Sequence, residues 1–450
     1  MQDNNQNNNH YSYGEQGVPQ TYYNNGFNDK KQGKGGFARG IAVGVVFSMF
    51  AFFCVILLGY FMNDRTEDSG TLGNGNSQNS IASLFGDDSD LLTDEEIDKL
   101  QQIQAYIDNY SYYEQDRGKF IDGMYSSLLQ SIDDDYAVYY NEESYSSLME
   151  TSSGTYSGIG CVVTQNMDNG QVIVVQPYKG SPAYEAGIAI GDIILKIDDI
   201  EITGMDLNEA VSYIKGEEGT TVNITYVHDG EEKTVEVERR TVEIPTVEYE
   251  MLENSIGYIK ISDFDEITIE QFGNAIEELK EQGAKGFVFD VRSNPGGLYN
   301  AVVDMLDMLL PEGTLVYTED KYGNRQTETS DEQCLDMPMA VLINGDSASA
   351  SEIFAGALKD YDAAEIIGTK SFGKGIVQTV LPLGDGTGIK FTVASYFTPS
   401  GVCIHGIGIE PDQIVELPDD ENAYDDNGYL KEEYDTQLKA AVEYLKGEIK

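Results

Sequence analysis

Leu342-Ile-Asn-Gly-Asp-Ser-Ala-Ser-Ala-Ser-Glu-Ile353, with Gly373-Lys-Gly-Ile-Val-Gln378 a short way downstream, is the stretch on which the fold turns. The apolar run Met339 to Ile343 reads as a buried strand, Asn344-Gly345-Asp346 breaks it, and Ser347 to Lys359 reads as a helix with Ile353, Ala357 and Leu358 on its apolar face. Small residues crowd the helix start, so a second backbone or a substrate can approach closely. A serine there sits beside exposed N–H groups at the positive end of the helix dipole, where an attacking hydroxyl and the anion it creates are both favoured. Ser349-Ala-Ser-Glu352 equally fits a Ser-x-x-Glu capping box, which needs no chemistry. Three serines, 347, 349 and 351, share the stretch, and chemistry alone does not choose among them.

Outward from it, strands and helices alternate. Ile256–Ile261, Gly286–Val291, Ala364–Gly368 and Gly388–Ala394 read as strands, and Ile269–Gln282 and Leu298–Leu310 as helices, which argues for an α/β layer. Asn294-Pro-Gly-Gly297 joins a buried strand to a helix, so glycine N–H groups there are either oxyanion donors or part of a tight turn. A serine nucleophile needs a base. The only histidine of this region, His405, lies in no Ser/His/Asp pattern, and no Gly-x-Ser-x-Gly elbow occurs. Lys374, between two glycines and near Phe372, Ile376 and Val377, can serve if burial leaves it neutral; otherwise it is a solvated surface charge.

Upstream, Ser157 to Val237 has strand periodicity. Gly158–Thr164 with Val172–Gln176, and Val222–Val227 with Lys233–Val237, read as hairpins turning at Asp168-Asn-Gly170 and Asp229-Gly230. Ser181–Gly187 and the Leu207, Val211, Ile214 series add two helices to this mostly β module.

The ends differ. Residues 1–36 are Asn-, Gln-, Tyr- and Gly-rich and read as a disordered tail. Residues 37–62 hold a 23-residue uncharged run, Gly40 to Met62, long enough to span a bilayer. Lys30, Lys31, Lys34 and Arg39 precede it, which places the N-terminus in the cytoplasm and the rest outside, with a cleaved signal peptide as the alternative. A Gly/Ser/Asn/Asp-rich linker covers 63–91. Region 92–150 reads as helical: Thr93 is an N-cap for a helix carrying Ile97, Leu100, Ile103 and Ile107, and a second helix spans Gln115 to Ser131. Its tyrosines read as core or self-association surface. Residues 419–450 form an acidic segment with a helix at Leu430–Lys446. A net charge of −50 repels nucleic acid and anionic lipid and excludes phosphate-backbone binding. Four scattered cysteines and three distant histidines give neither a disulfide framework nor a zinc site.

Two resemblances follow from these motifs. Gly158-Ile159-Gly160, Ser181-Pro-Ala183, Ala186-Gly187 and Gly191-Asp192 resemble the circularly permuted PDZ domain of bacterial proteases, here 151–240. That likeness implies that backbone N–H groups around Gly158, Ile159 and Gly160 hold a peptide's C-terminal carboxylate, the peptide lying alongside as an added strand. Asp290-x-Arg292-x-Asn-Pro-Gly-Gly297, Ser347–Glu352, Gly368–Gly375, Gln378, Pro399-Ser-Gly401 and Gly406–Asp412 stand in the order of the C-terminal processing peptidases. These are serine proteases with a crotonase-like (ClpP/crotonase-type) α/β core, which would occupy 241–418. The resemblance implies Ser349 as nucleophile and Lys374, 25 positions later, as general base. It also implies Gln378 as the residue orienting the lysine, and an oxyanion hole from Ala350 and either Gly296 or Gly297. No metal or other cofactor is implied. Expected partners are proteins with apolar C-terminal tails, the cytoplasmic membrane through one helix, and a second copy of the chain through the helical region. Two rivals remain, an inert PDZ scaffold and an acyl-CoA enzyme on the same core fold.

Overall fold

The computed structural model describes residues 92–424 and 430–449. The expected tail, membrane helix and linker therefore all lie outside the described residues, among which no helix is long and apolar enough to cross a membrane. Helix α1 (Asp94–Tyr110) belongs to the first of two compact units, and residues 116–450 make up the second. Its start is as expected, with a Thr93/Glu96 capping box, but Ile97, Leu100, Ile103 and Tyr106 are all exposed within it.

The second unit begins with α2 (Arg117–Gln130), β1 (Val138–Tyr140) and α3 (Glu142–Ser153). The PDZ module follows as β2 (Thr155–Gly158), β3 (Cys161–Gln165), β4 (Val172–Pro177), α4 (Pro182–Glu185), β5 (Ile193–Ile197), β6 (Ile200–Glu201), α5 (Leu207–Ile214), β7 (Thr221–His228), β8 (Glu231–Glu238) and β9 (Arg240–Glu243). Its sheet runs β3-β4-β5-β7-β8 around a core of Ile159, Val172, Ile194, Ile224 and Val237. One boundary differs from expectation. Gly158 does not open the β3–β4 hairpin but ends β2, which pairs with β9 (Gly158 opposite Arg240). The positive φ of Gly160, 74°, bends the chain between the two sheets.

The remaining chain supplies β10 (Val247–Leu252), β11 (Ile256–Ile261), α6 (Glu266–Glu281), β12 (Gly286–Asp290), α7 (Tyr299–Asp307), β13 (Gly313–Asp320), β14 (Arg325–Ser330) and β15 (Met339–Ile343). Next come α8 (Ala350–Asp360), β16 (Ala364–Gly368), β17 (Ile376–Pro382), β18 (Gly388–Phe397), β19 (Gln413–Ile414) and α9 (Thr436–Glu448). The central sheet has the order β10-β11-β12-β15-β16-β19, antiparallel only at β10–β11.

Alternation along its strands explains the layering. Phe287, Phe289, Met339, Val341 and Ile343 face the core shared with α6, α7 and α8. Their neighbours Val288, Ala340 and Leu342 face Ala441 and Leu445 of α9 on the other side. The expected acidic C-terminal helix is thus the second cover of the parallel sheet, starting at Thr436 rather than Leu430. A second sheet, β1-β18-β13-β14 with β17 on β18, lies beside it; of its strands only part of β18 was expected. The serine stretch also shifts: α8 begins at Ala350, three residues later than the periodicity indicates, because Asn344 to Ser349 form a loop held from outside.

Candidate active site

Parallel strands place ligands at their carboxyl ends, and the Asn294–Gly297 turn after β12 and the serine loop after β15 both emerge there. Asn294, wholly buried, fastens the two loops together. Its side chain donates to the Ile261 carbonyl (2.9 Å) and accepts from the Gly296 N–H (2.8 Å). Its own carbonyl accepts from the Ala348 N–H (3.1 Å) and the Ser351 hydroxyl (2.9 Å).

These contacts separate the three serines. Ser347 and Ser351 are fully buried, and their hydroxyls donate to the carbonyls of Val291 (2.7 Å) and Asn294. Ser349 is half-exposed, and its hydroxyl donates to no acceptor among the described residues. It caps α8 at φ 54°, ψ −114°, a left-handed backbone costing about 1–3 kcal/mol for a residue with a side chain. Gly296 packs against it so closely that a Cβ at 296 would lie 2.8 Å from the Ser349 Cβ. The Gly296 N–H is engaged by Asn294, whereas those of Gly297 (φ 141°) and Ala350 donate no hydrogen bond among the described residues.

Glu352 organises the rest. Its buried carboxylate accepts the Ser349 N–H (3.0 Å) and the Lys374 N–H (2.8 Å) on Oε2, and the Ser371 hydroxyl (2.6 Å) and Gly373 N–H (2.7 Å) on Oε1. One side chain therefore bridges the serine and the lysine loop. Sequence reasoning saw only a helix cap in Glu352, because its partners lie 19 to 22 residues downstream. Tyr396, buried, adds a second bridge: its hydroxyl lies within hydrogen-bonding reach of the carbonyls of both Ser349 (3.0 Å) and Lys374. Nothing in the sequence signalled it.

From the far side the segment around His405 closes over the lysine loop. The Gly406 N–H donates to the Gly373 carbonyl (2.8 Å), and a Cβ on Gly375 would strike the His405 N at 2.4 Å. His405 thus packs by its backbone, its side chain exposed. Lys374 is half-buried, and desolvation, aided by the Lys390 charge and opposed by Glu352, holds its amine below the ordinary lysine range. Gln378 follows on β17 at a bulge opposite Thr392. Its Nε2 is buried without a partner and makes no hydrogen bond to Lys374.

In the PDZ module Ile159 is buried in the core, its carbonyl accepting from Ala183 N–H (2.8 Å). The Gly160 carbonyl accepts from the Tyr178 N–H (2.9 Å) and the Ser181 hydroxyl (2.7 Å). The Gly160 and Cys161 N–H groups turn toward the hydroxyl of Tyr156, whose phenol burial pushes up. Lys215 Nζ stands 5.1 Å from the centre of that ring and 2.6 Å from Glu150.

Comparison with known proteins agrees with this division. The model of Peptidase family S41 matches residues 255–415, and a PDZ domain model matches 157–238. The chain is 37% identical over 341 residues to the carboxy-terminal processing protease CtpA of Bacillus subtilis, covering 75% of this chain and 73% of that protein. It is 38% identical over 298 residues to the carboxyl-terminal-processing protease of Synechocystis sp., covering 65% and 70%. Among solved structures, a photosystem II D1 C-terminal processing protease is similar at 31% identity and a TM-score of 0.42, over 72% of this chain and 89% of that one.

Proposed function

This chain belongs to the carboxy-terminal processing proteases of peptidase family S41, and from that premise we propose that it is an endopeptidase working by a Ser349/Lys374 dyad at the outer face of a membrane. The observation that carries the dyad is the Glu352 Oε2 atom, which accepts the backbone N–H of Ser349 and that of Lys374 at once. In this reading neutral Lys374 takes the Ser349 hydroxyl proton as Oγ attacks the scissile carbonyl. The tetrahedral oxyanion is received by the N–H groups of Gly297 and Ala350. The lysine returns its proton to the leaving amine, giving an ester on Ser349, and then activates the water that hydrolyses it. Gln378 fits an orienting role through its amide oxygen, which can accept an N–H of the neutral amine and leave the lone pair of Lys374 for the Ser349 proton.

Substrate capture belongs to the PDZ module. A C-terminal carboxylate would displace the Tyr156 hydroxyl from the Gly160 and Cys161 amides, and an apolar tail would lie along the adjoining strand. The test is digestion of a flexible protein such as casein fused to matched tails. An apolar tail with a free carboxylate should be cut at least about tenfold faster than the same tail ending in aspartates or an amide. Equal rates would remove the PDZ role, and no cleavage of any tail would remove the protease reading.

The membrane placement rests on the charge-free run from Gly40 to Met62 with its preceding basic residues. Protease added to intact cells should then release a fragment containing the catalytic region. Complete protection of that fragment, with the region digested only after lysis, would reverse the orientation.

A further inference from the structure

The Lys374 side chain does not point its ammonium at an acid. Nζ stands 4.5 Å from the centre of the Tyr136 ring, and among the described residues it makes no hydrogen bond or ion pair. Tyr136 comes from the turn between α2 and β1, about 240 residues before the lysine in the chain. The turn is held in place on both sides. Asp134 accepts the Thr392 N–H (2.7 Å) and hydroxyl (3.1 Å), together with the Tyr136 N–H (3.0 Å). Immediately afterwards β1 pairs with β18, Val138 opposite Lys390. Thr392 is itself the register partner of Gln378.

We propose that Tyr136 is a positioning residue for the catalytic base: its ring face holds the charged Lys374 in a resting place, and the Asp134 latch to β18 fixes that ring. An aromatic face attracts an ammonium through its quadrupole and does little for the neutral amine. The ring therefore favours the form of Lys374 that cannot act as a base, and it opposes the burial and the Lys390 charge that favour the neutral form. Among the described residues, Lys390 on β18 is the other cation facing Lys374, Glu352 on α8 the one carboxylate, and Tyr396 the further phenol, bound to its carbonyl. Lys390 has an aromatic seat of its own, its Nζ lying 5.5 Å from the centre of the Tyr140 ring. By this route the segment joining α2 to the core sets the pH at which the base becomes available.

The inference rests on Lys374 being the base, and the experiment keeps the two apart. The full chain is assayed on labelled casein from pH 5 to 10, giving the acid limb of kcat/KM for wild type, Tyr136→Phe, Tyr136→Leu and a ring-fluorinated phenylalanine at 136. The fluorinated ring keeps the shape and empties the face of negative charge, so it reports even if the leucine variant folds poorly. Phenylalanine should leave the midpoint in place. Leucine and the fluorinated ring should lower it by about 0.4–1.5 pH units, raising relative activity on the acid side. A fluorinated variant that titrates with wild type, or one that loses rate equally at every pH, overturns the proposal. If Lys374→Ala retains activity, the dyad itself has failed instead.

Discussion

Lys374→Ala lowers kcat/KM on casein by about three to four orders of magnitude, Ser349→Ala does the same, and the double substitution is no slower than either single one. The lack of additivity is the informative part. A nucleophile and its base act on one proton, so once either is missing the other has nothing left to contribute. Lys374→Arg should be as inactive as the alanine variant, because a guanidinium stays protonated at any pH the fold tolerates. The pH dependence follows from the lysine's surroundings. In the proposed dyad only neutral Lys374 accepts the serine proton, so kcat/KM should rise with pH through its pKa. Desolvation puts that rise below the ordinary lysine range. The measurement is casein digestion with folding checked by thermal melts. A Lys374→Ala enzyme that keeps a tenth of the wild-type rate would remove the dyad.

How much of this was legible depended on whether a residue's partners lay nearby in the chain. The parallel core was readable because strands such as Met339–Ile343, and Phe287–Phe289 within Gly286–Asp290, are continuous apolar runs, and every residue of both strands is buried. Strands β13, β14 and β17 were not. Arg325–Ser330 is mostly exposed and polar, and it becomes a strand through pairing with β13 rather than through its own pattern. The serine trio could not be resolved from the stretch itself, because what excludes Ser347 and Ser351 are carbonyls 56 and 57 residues upstream. The proposal of Gly297 over Gly296 likewise rests on the Asn294 side chain, which takes the Gly296 amide. Family order named Ser349 and Lys374 as a pair, but only packing reveals the parts that join them. Tyrosine 136 looked like core or surface, and Glu352 like a cap.

Glu352 carries the second large expectation: Glu352→Gln and Glu352→Ala both reduce kcat by about a hundredfold or more, with KM little changed and the melting temperature lowered. The carboxylate receives four donors on two oxygens, three of them backbone N–H groups. An amide keeps one acceptor oxygen and turns an NH2 toward donors on the other side, so glutamine is not a mild change here. Each buried donor left unmet costs about 1–3 kcal/mol. The catalytic loss has a separate cause. Ser349 is held at φ 54° against its own preference, and the Glu352 Oε2 contact to its N–H is one of the forces holding it. The same oxygen fixes the Lys374 backbone, so losing it would free the two members of the proposed dyad relative to each other, and a displacement of about 1 Å is enough for a hundredfold loss. In the proposed dyad the capping box and the nucleophile, which competed as explanations of Ser349, would be one device: the glutamate at the helix start would also register the proposed base against it. Glutamine at 352 with wild-type kcat and an unchanged melting temperature would show that Tyr396, which reaches the carbonyls of both residues, suffices to hold them alone.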